Sequence, residues 1–283
     1  MSSVAIIGAG SSGLAAAHTL RDAGHSVILF EKSEDVGGRA TTRKRDGFIY
    51  DHGAQYIKQG SPTSISLITE RFRMPDLIDI RKPVWIFDGA GHIAEGDPQQ
   101  NAEPKWCYRS GLITLAHHMA EGLDIRLDLP INHVQQTAEG WNLFDTTGQL
   151  VGSCELLLIT IPATEAVELI QASQVDIGLR DAICSHLGKA RYNPLISVML
   201  GYQARPEIRP YYALVNTDKA HAVSWLAWEH EKAPERVPAS AGLLIAQMAP
   251  QYSTTHWQML DEDILRDVAQ RVATLIGEAL PTP

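Results

Sequence analysis

Val4-Ala5-Ile6-Ile7-Gly8-Ala9-Gly10-Ser11-Ser12-Gly13-Leu14-Ala15-Ala16-Ala17 runs from an unbroken apolar segment through three glycines into residues that favour helix. Val4 to Ile7 shows no alternation of apolar and polar residues, which suits a strand covered on both faces in a parallel sheet. Ser12 to Ala23 reads as a helix stopped by Gly24, and Val27 to Phe30 as a second buried strand. Together they make a βαβ unit. Its turn, Gly8-Ala9-Gly10-Ser11-Ser12-Gly13, has the spacing G-x-G-x-x-G. The first glycine permits the tight turn, the second lets a pyrophosphate approach, and the third lets the helix pack closely on the strand. Glu31 ends the second strand, where a carboxylate accepts hydrogen bonds from ribose hydroxyls. Phosphates would lie at the start of the helix, whose first N–H groups have no intrahelical partners. Strand, turn, helix and acid agree on a dinucleotide, and NAD and FAD share this unit.

The 283 residues suffice for two lobes, and no apolar run approaches the roughly 20 residues of a membrane helix. Met1-Ser2-Ser3-Val4 lacks the basic start and long apolar stretch of a secretory signal. Cys107, Cys154 and Cys184 are odd in number and lack metal-type spacing. A cytoplasmic protein with reduced thiols and no metal is therefore expected. The net charge of -9 disfavours nucleic acid and leaves a small molecule as the expected partner, with no membrane role.

Further along, Ser110 reads as the N-cap of a helix over about 111–121 that Gly122 terminates. Ile131 to Thr137 and Trp141 to Asp145 alternate around Glu139-Gly140 as a hairpin does, and Leu156 to Ile161 returns to the parallel sheet. Leu195 to Gly201, Tyr211 to Val215, Val223 to Trp228 and Leu243 to Met248 read as strands of a second, mostly antiparallel sheet. Asp261 to Leu280 is an amphipathic helix with Ile264, Leu265, Val268, Val272, Leu275 and Ile276 on one stripe.

Glu31 is followed after five residues by Gly37-Gly38-Arg39. Paired glycines let backbone press against a cofactor, and the arginine supplies a guanidinium fork. Glu31 to Arg39 with Thr41-Thr42-Arg43 resembles the second FAD motif of flavin-containing amine oxidases. Asp51-His52-Gly53-Ala54-Gln55-Tyr56 resembles the D-x-G-A-Q-Y signature of renalase and its bacterial relatives. Tyr192-Asn193-Pro194, Trp225-Leu226-Ala227, Ala233-Pro234-Glu235-Arg236 in place of the family's K-P-G-R, and the strand and helix from Leu243 onward follow in the family's order.

The resemblance implies an α/β protein: a Rossmann-like FAD-binding parallel sheet with a second, mostly antiparallel α+β substrate lobe. The FAD lobe is expected over 1–60, about 105–162 and 243–283, and the substrate lobe over about 61–104 and 163–242. Gly8, Gly10, Ser12 and Gly13 would border the pyrophosphate, and Glu31 would hold the adenosine ribose with Lys32 beside it. Gly37, Gly38 and Arg39 would touch the cofactor further along. Gly53, Ala54, Gln55 and Tyr56 would line the flavin ring, Val134 would meet adenine through its backbone, and Pro162 would lie where the chain turns past the cofactor. Gln55, Tyr56, Tyr192 and Trp225 are the expected substrate-positioning residues. The family's C-terminal H-R-W-like and G-D-x-x-G-G-like segment is expected to be absent, since the sequence stops at Leu280-Pro281-Thr282-Pro283. Glu229-His230-Glu231 stands where relatives carry a small polar segment and is expected to alter substrate choice.

The implied activity is oxidation of aberrant dihydronicotinamide dinucleotides to NAD(P)+, with O2 as oxidant. A flavin amine oxidase of the wider superfamily and a flavin-free NAD(P)-binding or non-catalytic protein remain open. His117-His118 has no H-x3-H spacing and reads as packing or surface. Ser197 and Ser224 lack the glycine elbow of a hydrolase nucleophile. Tyr211, Tyr212, Trp225 and Trp228 read as strand core or a pocket wall, and His230 between two glutamates as a solvated ion pair.

Overall fold

The computed structural model describes all residues from Met1 to Pro283, which fall into two compact units: 1–40 with 113–192, and 41–112 with 193–283. In the first unit, strands Asp124–Arg126, Ser26–Phe30, Ser3–Ile7 and Leu156–Ile159 lie in that order in one sheet. All three pairings are parallel. The helix Ser11–Asp22 connects the first two strands of the chain. An antiparallel meander, Ile131–Thr137, Gly140–Asp145 and Leu150–Cys154, follows as the alternation predicted. Its Val134 and Leu143 share a core with Ala5, Ile7 and Phe30 of the sheet and Leu169 of the helix Ala163–Gln171.

In the second unit the strands Ser197–Tyr202, Gly242–Met248, Val223–Trp228, Ala213–Asn216, Val84–Phe87 and Ile93–Ala94 form one sheet in that order. Its pairings are antiparallel except that of Ala213–Asn216 with Val84–Phe87. Val198, Leu200, Leu214, Leu226, Leu244 and Ala246 bury one face against Ile264, Val268, Val272 and Leu275 of the helix Asp261–Ile276. That helix begins with Asp261, Glu262 and Asp263 at its positive end. It ends at Ile276, four residues short of the expected Leu280, because Gly277 turns left-handed, φ 65°. No helix is long and apolar enough to cross a membrane.

Two local expectations need correction. The helix expected over 111–121 is Ile113–Ala120. Gly111 has φ +109°, outside any helix, and a Cβ there would lie 2.2 Å from Thr42. The Ser110 hydroxyl just before it donates to Asp76. The compact units also depart from the expected lobes. Residues 41–60, 105–112 and 243–283 belong to the second unit, because Gly242–Met248 is an interior strand of the six-stranded sheet. Residues 163–192 belong to the first, where Leu169 and Val175 enter its core.

Candidate functional site

The first unit builds a nucleotide cradle from its three glycines. Gly8 has φ +103°, and a Cβ on Gly13 would stand 2.0 Å from the Gly8 carbonyl oxygen, so helix and turn touch backbone to backbone. Gly10 is different: its nearest neighbour to a built Cβ is Gly38 Cα at 3.8 Å, leaving room above the turn. Gly10 bridges to Gly37, and the Gly37 N–H donates to the Ala9 carbonyl at 3.0 Å. The paired glycines after Glu31 are therefore folded onto the first turn. Gly10 caps the helix without any side-chain hydrogen bond, so the N–H groups of the first helical turn are left for an anion.

Glu31 is buried at the end of its strand. One carboxylate oxygen accepts from the Ala9 N–H at 2.8 Å and the other from the Ser33 N–H at 3.0 Å. These two bonds aim the carboxylate and leave it acceptor capacity for hydroxyl donors. Lys32 points to solvent and pairs with Glu165 at 2.8 Å. Arg39 is exposed, its guanidinium 6.0 Å from the centre of the Tyr192 ring. The Tyr192 hydroxyl accepts from Ala163 N–H at 2.9 Å, just after Pro162 at the start of a helix. Val134 is buried, its N–H donates to Ser173 Oγ at 2.8 Å and its carbonyl accepts from Gln174 N–H at 2.9 Å.

The second unit carries the Asp51 to Tyr56 motif on a base that sequence reasoning missed. Asp51, Glu229, Lys232 and Arg236 have side chains with 0% exposure. Asp51 Oδ2 accepts from Lys232 at 3.1 Å and Arg236 at 2.7 Å. Glu229 pairs with Lys232 at 2.9 Å and with Arg236, which also donates to the Tyr108 carbonyl. Asp51 Oδ1 accepts from Thr42 Oγ1 at 2.6 Å and from Leu112 N–H at 2.9 Å. Burial alone would raise the Asp51 pKa, but the charges of Lys232 and Arg236 and these hydrogen bonds outweigh it and bring it down to about 2. Two acids and two bases leave the quartet neutral, the condition for burying charge at all.

Gln55 is tied to this base. Its Nε2 donates to the Asp51 carbonyl at 2.5 Å and the Gly53 carbonyl at 3.3 Å, and its Oε1 accepts from Lys232 at 3.4 Å. Tyr56 stands with Trp225 and Tyr212, ring centres 6.1 and 6.3 Å away, and Tyr212 lies 6.1 Å from Trp225. Burial and then the charge of Glu103 raise the Tyr56 pKa. Burial pushes that of Tyr212 well above the ordinary value. Of the four expected positioning residues, Gln55, Tyr56 and Trp225 thus share the second unit, while Tyr192 belongs to the first.

His230 is not solvated. It is 6% exposed, its Nδ1 accepts from the Leu243 N–H at 3.1 Å, and burial lowers its pKa. Glu231 pairs instead with Lys82 at 2.6 Å. His117 contacts Asp35 at 2.8 Å and His118 contacts Glu121 at 3.2 Å. Cys107 and Cys154 are buried, and burial raises the Cys107 thiol to about 11.

Comparison with known proteins places this geometry. The NAD(P)-binding Rossmann-like domain profile matches residues 6–70, and the profile of flavin containing amine oxidoreductases matches residues 85–283. The chain belongs to the flavin-containing amine oxidoreductase family. The family is one of flavin-containing oxidoreductases, and the cradle fits FAD, since Gly10 leaves open the space where a Cβ-bearing residue would stand. The family's fold recurs in solved structures of low identity. Reduced UDP-galactopyranose mutase superposes with TM-score 0.77 at 13% identity, covering 99% of this chain and 80% of that one. Putrescine oxidase bound to putrescine gives 0.73 at 15%, covering 96% and 81%. A 4,4'-diapophytoene desaturase from Staphylococcus haemolyticus is 39% identical over 85 residues, 30% of this chain. The matched stretch spans 17% of that relative's length.

Proposed function

We propose that this family member is a renalase-like oxidase. It returns dihydronicotinamide dinucleotides carrying their extra hydride at ring position 2 or 6 to NAD(P)+. The substrate gives up a hydride, O2 takes the two electrons, and with one proton from solvent hydrogen peroxide is formed. FAD supplies the two-electron acceptor. The glycine turn, Glu31 and the Gly37-Gly38 pair hold its ADP portion, and Gly53 to Tyr56 line its ring, on the resemblance to renalase. The protein's own task is then alignment. Tyr56 and Trp225 offer ring faces to a flat substrate, and Gln55 holds the segment between them and the buried base. Tyr192, whose hydroxyl is engaged by Ala163, offers its ring face.

The observation that carries this reading is the charge state around the Tyr56, Trp225 and Tyr212 rings. Asp51 and Glu229 are both neutralised by Lys232 and Arg236, so no buried acid is left there to hold a substrate ammonium or to act as a base. A dihydropyridine needs neither. Glu103, whose charge reaches Tyr56, favours the second reading, a flavin amine oxidase. Anaerobic mixing separates the two. Bleaching of the bound flavin by chemically reduced NAD containing the 2- and 6-dihydro isomers, and none by primary amines, is the expected result. Bleaching by amines alone would overturn it, and a protein that takes up no FAD would leave the flavin-free reading standing.

A further inference from the structure

We infer that Gln247 is a positioning residue for the flavin, acting by fixing the peptide plane between Gly53 and Ala54. The inference rests on the reading that Gly53 to Tyr56 face the flavin. Gln247 lies on the interior strand Gly242–Met248, in register with Ser197 on one side and Trp225 on the other. Ala246, its neighbour, faces the helical core, so Gln247 and Trp225 share the opposite face of the sheet. From that face its Nε2 donates to the Gly53 carbonyl at 2.8 Å. Gln55 Nε2 donates to the same oxygen.

The orientation of Gln55 is itself dictated from below. Lys232 can only donate, so the Gln55 oxygen must face it and the amide nitrogen must face the carbonyls of Asp51 and Gly53. Two amide donors thus hold the Gly53 carbonyl inward. The chain has no cis peptide bond, so the N–H of Ala54, in the same plane, points the other way. Ala54 is exposed, and its N–H makes no hydrogen bond within the protein. A fixed donor is therefore displayed on the segment that lines the ring, suited to a ring-edge carbonyl or nitrogen acceptor. A donor there favours the more electron-rich reduced ring.

The test compares Gln247→Met, which keeps shape and loses the donor, with Gln247→Glu, which sets a carboxylate against the carbonyl. FAD is titrated into each apoprotein by flavin fluorescence, apoprotein melting is followed separately, and the two-electron midpoint potential is measured on the loaded forms. Gln247→Met is expected to melt near the wild type, to bind oxidised FAD about fivefold more weakly, and to disfavour reduced flavin by a further tenfold, read as a midpoint about 30 mV lower. Gln247→Glu is expected to exceed it in both flavin readouts. Unchanged affinity and potential in both variants, with a wild type that binds FAD, would overturn the role of Gln247 and leave the flavin reading intact. Changes confined to apoprotein melting would reduce it to packing. A wild type that binds no FAD would defeat both.

Discussion

Replacing Arg236 by Met removes one of the two cations that neutralise Asp51 and Glu229 at full burial and frees the Tyr108 carbonyl. Lys232 is then left alone against two carboxylates that have no water. Breaking a buried pair in this way costs roughly 3–5 kcal/mol, which at about 2–4 °C per kcal/mol for a chain of this size lowers Tm by roughly 10 °C. The loss is one of charge balance, so removing an acid as well should restore part of it. Glu229→Gln with Arg236→Met leaves Asp51 opposite Lys232, and the double variant should melt above Arg236→Met alone. The assay is thermal and urea unfolding of wild type, both single variants and the double. Arg266→Met serves as reference, because its partner Asp263 is 3.2 Å away at the surface and the exposed pair should contribute less than about 1 kcal/mol. If Arg236→Met costs no more than Arg266→Met, or the double variant is the sum of its singles, the quartet is not the base of the motif.

Acid should expose the same quartet. The Asp51 carboxyl is held down to about 2 in the folded chain, so its contribution is complete above pH 4 and is lost as pH falls from about 4 through 2. Melting temperatures over that window should drop more steeply for wild type than for Asp51→Asn. Gly13→Ala places a Cβ 2.0 Å from the Gly8 carbonyl oxygen and should abolish FAD uptake. Gly24→Ala, which meets nothing within 4 Å and is strained only by φ +86°, should cost about 1 kcal/mol and leave uptake intact by fluorescence titration. Tyr56→Ala should reduce turnover of dihydronicotinamide isomers more than FAD retention, and equal losses in the two assays would refute its place beside the substrate.

What the sequence made legible was local. Gly8, Gly10 and Gly13 could be assigned because each answers a steric demand within a few residues of itself, and the hairpin over 131–145 because alternation and a turn glycine agree. Boundaries failed where a distant contact decides them. Gly111 is kept out of its helix by Thr42. The quartet was illegible for the same reason. Asp51 meets Lys232 and Arg236 across 181 and 185 positions of chain, and charged residues carry no periodic signal of burial. His230 between two glutamates looked solvated because three adjacent polar residues carry no local sign of the Leu243 N–H and the Lys82 ammonium that they meet. The D-x-G-A-Q-Y resemblance did mark Asp51, and a charged residue at the end of an apolar strand before a glycine turn is a cue to look for its counter-ion.

The wide chain separation within the quartet also bears on how the second unit is made. During synthesis Asp51 emerges long before Glu229, Lys232 and Arg236, and Val84–Phe87 waits for Ala213–Asn216 to pair beside it. A nascent chain shorter than about 240 residues therefore holds an acid it cannot bury and a sheet edge it cannot cover. Ribosome-stalled chains released before Arg236 should be cut readily by protease around residue 51, and those extended past Met248 should become resistant.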